Sequence, residues 1–288
     1  LHNPIEEGLQ VIIKAFEETP RLRTLCGLEE GIEKIDWSDS GKGPIEVALL
    51  AADLKDGCAA AAVTWVSVLS NPIGDGADAL IEAFEQNDKI QTLLGLEEGV
   101  QVLDLSKKQV DPGQAKILAA EIRVRRFTAA AVARLILDEN PLTGGTWRDV
   151  DKDITGVTSL FDTLKTSSVT ELGLAKCRLG PGSLGKLAEY VRDAKAALNE
   201  VNVAFNQIGS EGGIALRDAL KTSNLKFLAI GKMYTSVDGT VITCSQLTTG
   251  VILYAGGRLG ELIEGPNSYN PLANHVQLKW GDDGNQDW

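Results

Sequence analysis

Apolar residues recur along most of the chain in one short pattern. In each copy, positions 1, 4, 6 and 11 are apolar and position 9 is often Asn. Positions 4 and 6 alternate as in a short strand with one buried face, which is followed by a turn at position 9. An Asn at that turn carries both a donor and an acceptor, so it can satisfy buried backbone groups. The copies start at Ile32, Val63, Val100, Val132, Val169, Leu198 and, in part, Leu225.

Between these copies the apolar residues fall at helical spacing. Leu9, Ile12, Ile13 and Phe16 stand at i, i+3, i+4 and i+7, which predicts an amphipathic helix. Pro44 and Pro112 mark later helix starts, where the missing N–H of proline costs nothing. Each copy is therefore predicted to be a strand followed by a helix. The remaining predicted helices are Val157–Leu164, Leu184–Arg192 and Gly213–Leu220.

Longer stretches also repeat at an offset of 68 residues. Of the 19 positions from 14 to 32, 10 are identical to their counterparts in 82–100. The pairs Glu29–Glu30 and Glu97–Glu98 recur with this offset, which favours a structural loop role. In the third long copy, residues 144–156 replace the start of the expected helix, so we predict a loop that protrudes there.

The template resembles the leucine-rich repeat, and its long, helix-rich units resemble the ribonuclease-inhibitor-like class. The resemblance covers residues 1–232, with about seven to eight repeats of 27–37 residues each. It implies an α/β solenoid with parallel strands on the concave side and helices on the convex side. In such a stack each unit is stabilised by its neighbours. The resemblance further implies binding of other proteins, since the class includes inhibitory and GTPase-activating members.

After Lys232 the helical periodicity ends and short apolar stretches separated by Gly and Pro predict strands. We predict these strands at Val241–Cys244, Val251–Tyr254, Leu259–Ile263 and Val276–Trp280. Residues 233–288 resemble a small SH3-like or Tudor-like barrel. Tudor-like barrels hold methylated Lys or Arg in aromatic cages, by cation–π attraction. The alternative that we favour is that Trp280 and Tyr254 form the barrel core, which so small a domain needs. The candidate cage residues are Tyr254, Tyr269, Trp280 and Trp288.

The start of the chain carries its own expectation. The chain begins at Leu1 and its one Met is Met233, so either a leader was removed or the chain is a fragment of a longer protein. An apolar helix begins almost at once, where a solenoid needs a polar cap. We therefore expect further repeats upstream or a partner that covers this end. No signal segment is recognisable, which leaves the cytoplasm, or an organelle after leader removal, as the expected compartment.

Composition narrows the function classes. The net charge is −12 and the sequence pI is about 4.7, which argues against a partner such as nucleic acid or an anionic membrane. No apolar run is long enough to span a bilayer. Two His and four Cys, spread along the chain, leave little material for a zinc site or a His-based catalyst. We expect no catalytic residues, metal or cofactor, and we interpret Cys177, at a ninth position, as a buried structural thiol.

Side chains on the open face of the predicted strands form the remaining candidate site. An exposed Trp65 beside Val102, Arg134 and Ile136 has the composition of an interface hot spot. The leading hypothesis is a non-enzymatic scaffold or structural subunit of a larger assembly that binds a protein through this face or through the N-terminal end. A regulator of a partner enzyme and a reader of methylated peptides are the alternatives. The candidate binding residues are Trp65, Val102, Asp104, Arg134, Ile136, Glu171 and Asn202.

Overall fold

The computed structural model describes residues 6–124, 132–194 and 198–230, and short strands beyond them. Its helices in this part alternate with strands of three residues each, after a 3-10 turn at Glu6–Gly8. A second 3-10 turn, Cys58–Ala60, follows α2. The elements are α1 (Leu9–Glu17), β1 (Lys34–Asp36), α2 (Pro44–Asp56), β2 (Trp65–Ser67), α3 (Gly76–Gln86), β3 (Val102–Asp104), α4 (Pro112–Val124), β4 (Arg134–Ile136), α5 (Thr155–Leu164), β5 (Glu171–Gly173), α6 (Pro181–Asp193), β6 (Glu200–Asn202), α7 (Gly209–Leu220) and β7 (Phe227–Ala229).

The strands pair in parallel and in chain order. β1 pairs with β2, and β3 to β7 form a second sheet in the order β3-β4-β5-β6-β7. Each strand covers positions 3 to 5 of the sequence template, and the residue at position 4 points into the core. The prediction of an α/β fold built from successive strand–helix units is therefore confirmed. The buried central residues are Ile35, Val66, Leu103, Leu135, Leu172 and Val201.

A ladder of side-chain hydrogen bonds joins neighbouring units at position 9. The Asn140 amide donates to the carbonyls of Leu105 and Leu137, both at 2.8 Å, and its oxygen accepts from Val110 N–H at 3.0 Å. Asn71 and Asn206 make the same bonds in their own units. The Cys177 thiol is buried and donates to Leu137 at 3.0 Å, as a compact substitute for Asn. Burial raises the pKa of this thiol to about 12, in agreement with a structural role.

The sheet is interrupted between β2 and β3. The segment 91–95 lies beside β2 in place of a strand, with Val66 N–H donating to Thr92 at 3.1 Å and Val68 N–H to Leu93 at 2.9 Å. At this break the ninth position is Lys108, which is exposed. The hydrogen bond that an Asn at this position would donate to the preceding unit comes instead from Gln114 of α4. Its side-chain amide donates to the carbonyl of Val68 at 3.1 Å and to the carbonyl of Asn71 at 2.9 Å.

Successive helices pack side by side, and glycine permits the closest approach. A Cβ at Gly76, the first residue of α3, would lie 2.5 Å from the carbonyl oxygen of Pro44, the first residue of α2. A Cβ at Gly156 in α5 would collide in the same way with Pro112 of α4. The N-terminal turns of these helix pairs therefore touch through their backbones.

The stretch before α5 does not simply protrude as predicted. Asp151 accepts hydrogen bonds from the N–H groups of Gly180, Gly182 and Ser183, at 2.9, 2.7 and 3.1 Å. These N–H groups belong to the N-cap and the first turn of α6, where the backbone N–H groups have no carbonyl partner within the helix and negative charge is favourable. The segment thus caps the helix of the next unit, while its Trp147 stays 47% exposed.

Beyond Ala229 the sheet type changes. The described strands are antiparallel and pair in the order β12-β11-β10-β9-β8. Three of the four predicted strands are found here within a few residues, and Val241–Cys244 lies outside the described residues. None of the helices in the described part of the chain combines the length and apolar content that crossing a membrane requires. The strands are β8 (Thr235–Ser236), β9 (Ile252–Ala255), β10 (Arg258–Glu264), β11 (Gln277–Trp280) and β12 (Gln286–Asp287).

Candidate functional site

The strand face consists of the side chains at template positions 3 and 5 of β3 to β7, on the side opposite the core. Since the strands pair without a register shift, residues at one template position line up across the sheet. The sequence therefore creates continuous rows from residues that are about 30 positions apart. The position 3 row is Val102, Arg134, Glu171, Glu200 and Phe227, and the position 5 row is Asp104, Ile136, Gly173, Asn202 and Ala229.

Six of the seven predicted binding residues lie in these two rows. In the position 3 row, Arg134 and Glu171 form an ion pair with 3.2 Å between Nε and Oε2. Apolar side chains stand at both ends of this row, where Val102 is 55% and Phe227 is 50% exposed. Sequence reasoning had not singled out Phe227, although its strand register pointed to the same face. The row thus offers apolar contacts on either side of a charged centre.

A third row lies at position 8, where the chain leaves each strand. Glu139 pairs with Lys107 at 3.5 Å and with Lys176 at 3.8 Å, although these residues come from three different units. The Lys176 ammonium also lies 5.5 Å from the ring centre of Phe205, which is 59% exposed. These residues have positive φ, between 56° and 62°, so the same left-handed turn recurs in these four units. An exposed aromatic side chain and alternating charges therefore continue the strand face at its edge.

Two acidic side chains, one on the strand face and one beside it at template position 7, are held by hydrogen bonds. Asp104 accepts from the N–H and hydroxyl of Ser106, which lowers the pKa of its carboxyl group. Asp138 accepts from Ala175 N–H at 2.8 Å, and its partial burial raises the pKa of its carboxyl group. A Cβ at Gly173 would lie 2.9 Å from the Asp138 carboxylate, so glycine leaves room for that side chain. Hydrogen bonds thus fix the positions of both carboxylates at this surface.

Trp65 is separated from the other candidates. It belongs to β2, in the two-stranded sheet, and segment 91–95 pairs with β2 on the side that faces away from β1. Its side chain is only partly exposed, because the Lys34 ammonium lies 3.8 Å from its ring centre and Gly95 packs against the ring. The expectation of an exposed Trp65 beside Val102 is therefore corrected.

Sequence reasoning missed two buried carboxylates on the helices. Glu121 of α4 accepts from the N–H groups of Leu93 and Leu94 at 2.6 and 2.8 Å, and from the Thr92 hydroxyl at 3.2 Å. Asp53 of α2 binds Leu25, Cys26 and Thr24 in the same way. These clamps hold the two repeated loop segments against the helix layer. The available signal was an acidic residue inside each apolar helix, at the same 68-residue offset as the threonines.

The aromatic cage residues are only partly within the described structure. Tyr254 lies on β9 and Trp280 on β11, where the description covers the backbone, and Tyr269 and Trp288 lie outside the described residues. In the described part of the chain, no group of three or more His, Cys, Asp or Glu side chains is arranged to hold a metal ion.

No family model matches the chain, and no curated protein matches its sequence.

Proposed function

We propose that this chain is a non-enzymatic protein-binding module of the leucine-rich-repeat type, which binds a partner protein through the strand face. The observation that carries the proposal is the position 3 row. It spans five paired strands and places Val102 and Phe227, both about half exposed, on either side of the Arg134–Glu171 pair. Exposed apolar side chains mark interaction surfaces, and Arg is enriched among the residues that dominate binding energy.

The partner that fits this face has apolar side chains and a predominantly basic surface. The chain carries a net charge of −12, and acidic side chains recur on the strand face at Asp104, Glu171 and Glu200. Complementary charge accelerates association and excludes partners of the same sign. This proposal includes a structural role within a larger assembly, in which a neighbouring subunit would cover the strand face permanently.

The experiment first identifies proteins retained by the immobilised wild-type chain and then measures the affinity of the purified partner. The critical variant exchanges the two charges of the central pair, Arg134→Glu with Glu171→Arg. It preserves an ion pair and the net charge of the chain, but it reverses the charge pattern that the partner meets. We expect Kd to rise about tenfold or more, since Arg is a frequent hot-spot residue of interfaces.

The matched control is the same exchange on the helix side, Arg192→Glu with Asp193→Arg. That pair is also exposed, with 2.7 Å between Nε and Oδ1, and lies on and at the end of α6. We expect the control to bind as wild type. If the strand-face exchange leaves Kd unchanged, or if both exchanges weaken binding equally, the assignment of the strand face is wrong.

A further inference from the structure

The interrupted sheet leaves a strand edge in the middle of the molecule. The outer edge of β2 is occupied by segment 91–95, which contributes Gly95 N–H to Val66 at 3.0 Å and accepts from Val66 and Val68 through its carbonyls. β3 then starts a new sheet, and among the strands that the structure describes it pairs with β4. The edge of β3 that faces β2 therefore lies inside the array of strands and not at its end.

The edge of β3 that faces β2 carries backbone groups that β4 does not bind. β3 bonds to β4 through Gln101, Leu103 and Leu105, with Arg134 N–H to Gln101 at 3.0 Å and Leu105 N–H to Ile136 at 2.8 Å. In a paired strand alternate residues face opposite edges, so the N–H and C=O groups of Val102 and Asp104 face away from β4. Within residues that the structure describes, these groups have no hydrogen-bond partner, and both residues are exposed.

Within the described part of the chain, segment 91–95 makes no backbone hydrogen bond to β3, and several of its groups are engaged elsewhere. The N–H groups of Leu93 and Leu94 are bound by the buried Glu121 carboxylate, at 2.6 and 2.8 Å. The Thr92 hydroxyl accepts from Leu94 and Leu96 at 3.2 and 3.0 Å. The clamp turns this segment toward the helices and so keeps it from closing the sheet onto β3.

We propose that the free edge of β3 binds an extended basic segment of the partner protein, which pairs with Val102 and Asp104 as an added strand. This proposal rests on the proposed function and names the mode of binding. Unpaired strand edges accept extended peptides through main-chain hydrogen bonds, while side chains select the sequence. Val102 offers an apolar contact beside those groups, since its side chain is 55% exposed.

Charge favours a basic occupant. Glu97 and Glu98 are exposed in the loop immediately before β3. Asp104 lies on the strand itself, where the positive charges of Lys108 and Arg134 act on its carboxylate. Lys107, beyond the end of β3, is paired with Glu139 at 3.5 Å, so its charge is partly offset. An added strand with Lys or Arg near the start of β3 would therefore meet acidic side chains, whereas an acidic segment would be repelled.

The test uses a displayed library of linear peptides, selected on the full chain and counter-selected on the Val102→Pro variant. Proline removes the Val102 N–H, which bonds nothing in the described structure, and places its ring on the free edge. The matched control is Val102→Thr, which keeps the N–H and a similar shape. Each selected peptide is also synthesised with alternate backbone N-methyl groups, which cannot pair with a strand.

We expect enriched peptides to be rich in Lys or Arg and to bind Val102→Pro about tenfold or more weakly than wild type, with N-methylation equally damaging. The Val102→Thr variant should bind within about twofold of wild type. If no linear peptide is enriched, or if selected peptides bind Val102→Pro like wild type, the edge is not a binding site. Should the purified partner respond to the Arg134–Glu171 exchange but not to Val102→Pro, the proposed function stands and only strand addition is wrong.

Discussion

The Glu121 carboxylate is fully buried yet makes several hydrogen bonds to the loop that it holds. Burial outweighs those bonds and raises the pKa of this group from 4.5 to about 7. For an acid whose pKa is higher in the folded state, the folded protein binds more protons than the unfolded chain between those two values. The contribution to stability is therefore complete below pH 4.5 and is lost as the pH rises through about 7.

This sign gives a prediction for Glu121→Gln. As the pH rises from 4.5 to above 7, the titration of Glu121 should lower the unfolding free energy of the wild-type protein by about 3 kcal/mol. The variant has no titrating group at this site, so its unfolding free energy should fall less over the same range. Urea unfolding at a series of pH values measures both curves. Parallel curves for the two proteins would contradict the assignment.

A second prediction concerns the ninth template position. Asn140→Ala leaves the buried carbonyl of Leu105 and the N–H of Val110 without these partners, while the Leu137 carbonyl keeps only the Cys177 thiol. We therefore expect a loss of about 3 kcal/mol of unfolding free energy. Lys108→Ala changes the same template position where the sheet is interrupted and the side chain is exposed. Its effect should stay within about 0.5 kcal/mol. Equal effects of the two substitutions in chemical denaturation would contradict the ladder.

Residues of the template were predictable because the same residue type makes the same local contacts in each unit. The role of Asn at position 9 followed from its donor and acceptor, and the hydrogen bonds of Asn140 confirm it. Glu121 was not predicted, because an acidic residue on a helix is usually exposed and nothing local marks its distant partners in the loop. Only the joint recurrence of Thr92 and Glu121 with Thr24 and Asp53 carried that information.

At the scale of elements, the template located the central residue of each strand from β1 to β7, and the predicted helices and strands that fall within the described residues lie within a few residues of the observed ones. The prolines confirmed as helix starts are Pro44 and Pro112. The break between β2 and β3 was not predicted, because segment 91–95 has no strand template of its own. Its place beside β2 depends on a carboxylate from another element, and local sequence patterns do not record such a contact.

Helix packing gives a third prediction, based on two glycines in helices. Gly76→Ala forces a Cβ against the backbone of Pro44, so we expect a loss of about 2 kcal/mol of unfolding free energy. Gly185→Ala, in α6, is the matched control because no atom lies within 4 Å of its new Cβ. Alanine should stabilise that helix by about 0.5–1 kcal/mol. If both substitutions have the same sign in urea unfolding, backbone contact between α2 and α3 is not what requires glycine.

At the scale of the whole molecule, the strand face exists only because the units are stacked in register. Val102 and Phe227 are 125 positions apart in the sequence, yet they end one row of paired strands. The template predicted that such rows form, whereas the separation of Trp65 from them depends on the interruption of the sheet. The sequence therefore predicted which residues of each strand lie on the face, but not that the interruption after β2 separates Trp65 from the others.

The central claim is that a partner protein covers the strand face, and amide hydrogen exchange of the full chain, alone and with the purified partner, tests it most directly. We predict that slowed exchange is concentrated in β3 to β7 and in the turns that follow them, with the amides of Val102 and Asp104 among those protected. The outward surfaces of α2 to α7 should exchange as in the free protein. Protection confined to the helices, with β3 to β7 unchanged, would contradict the account.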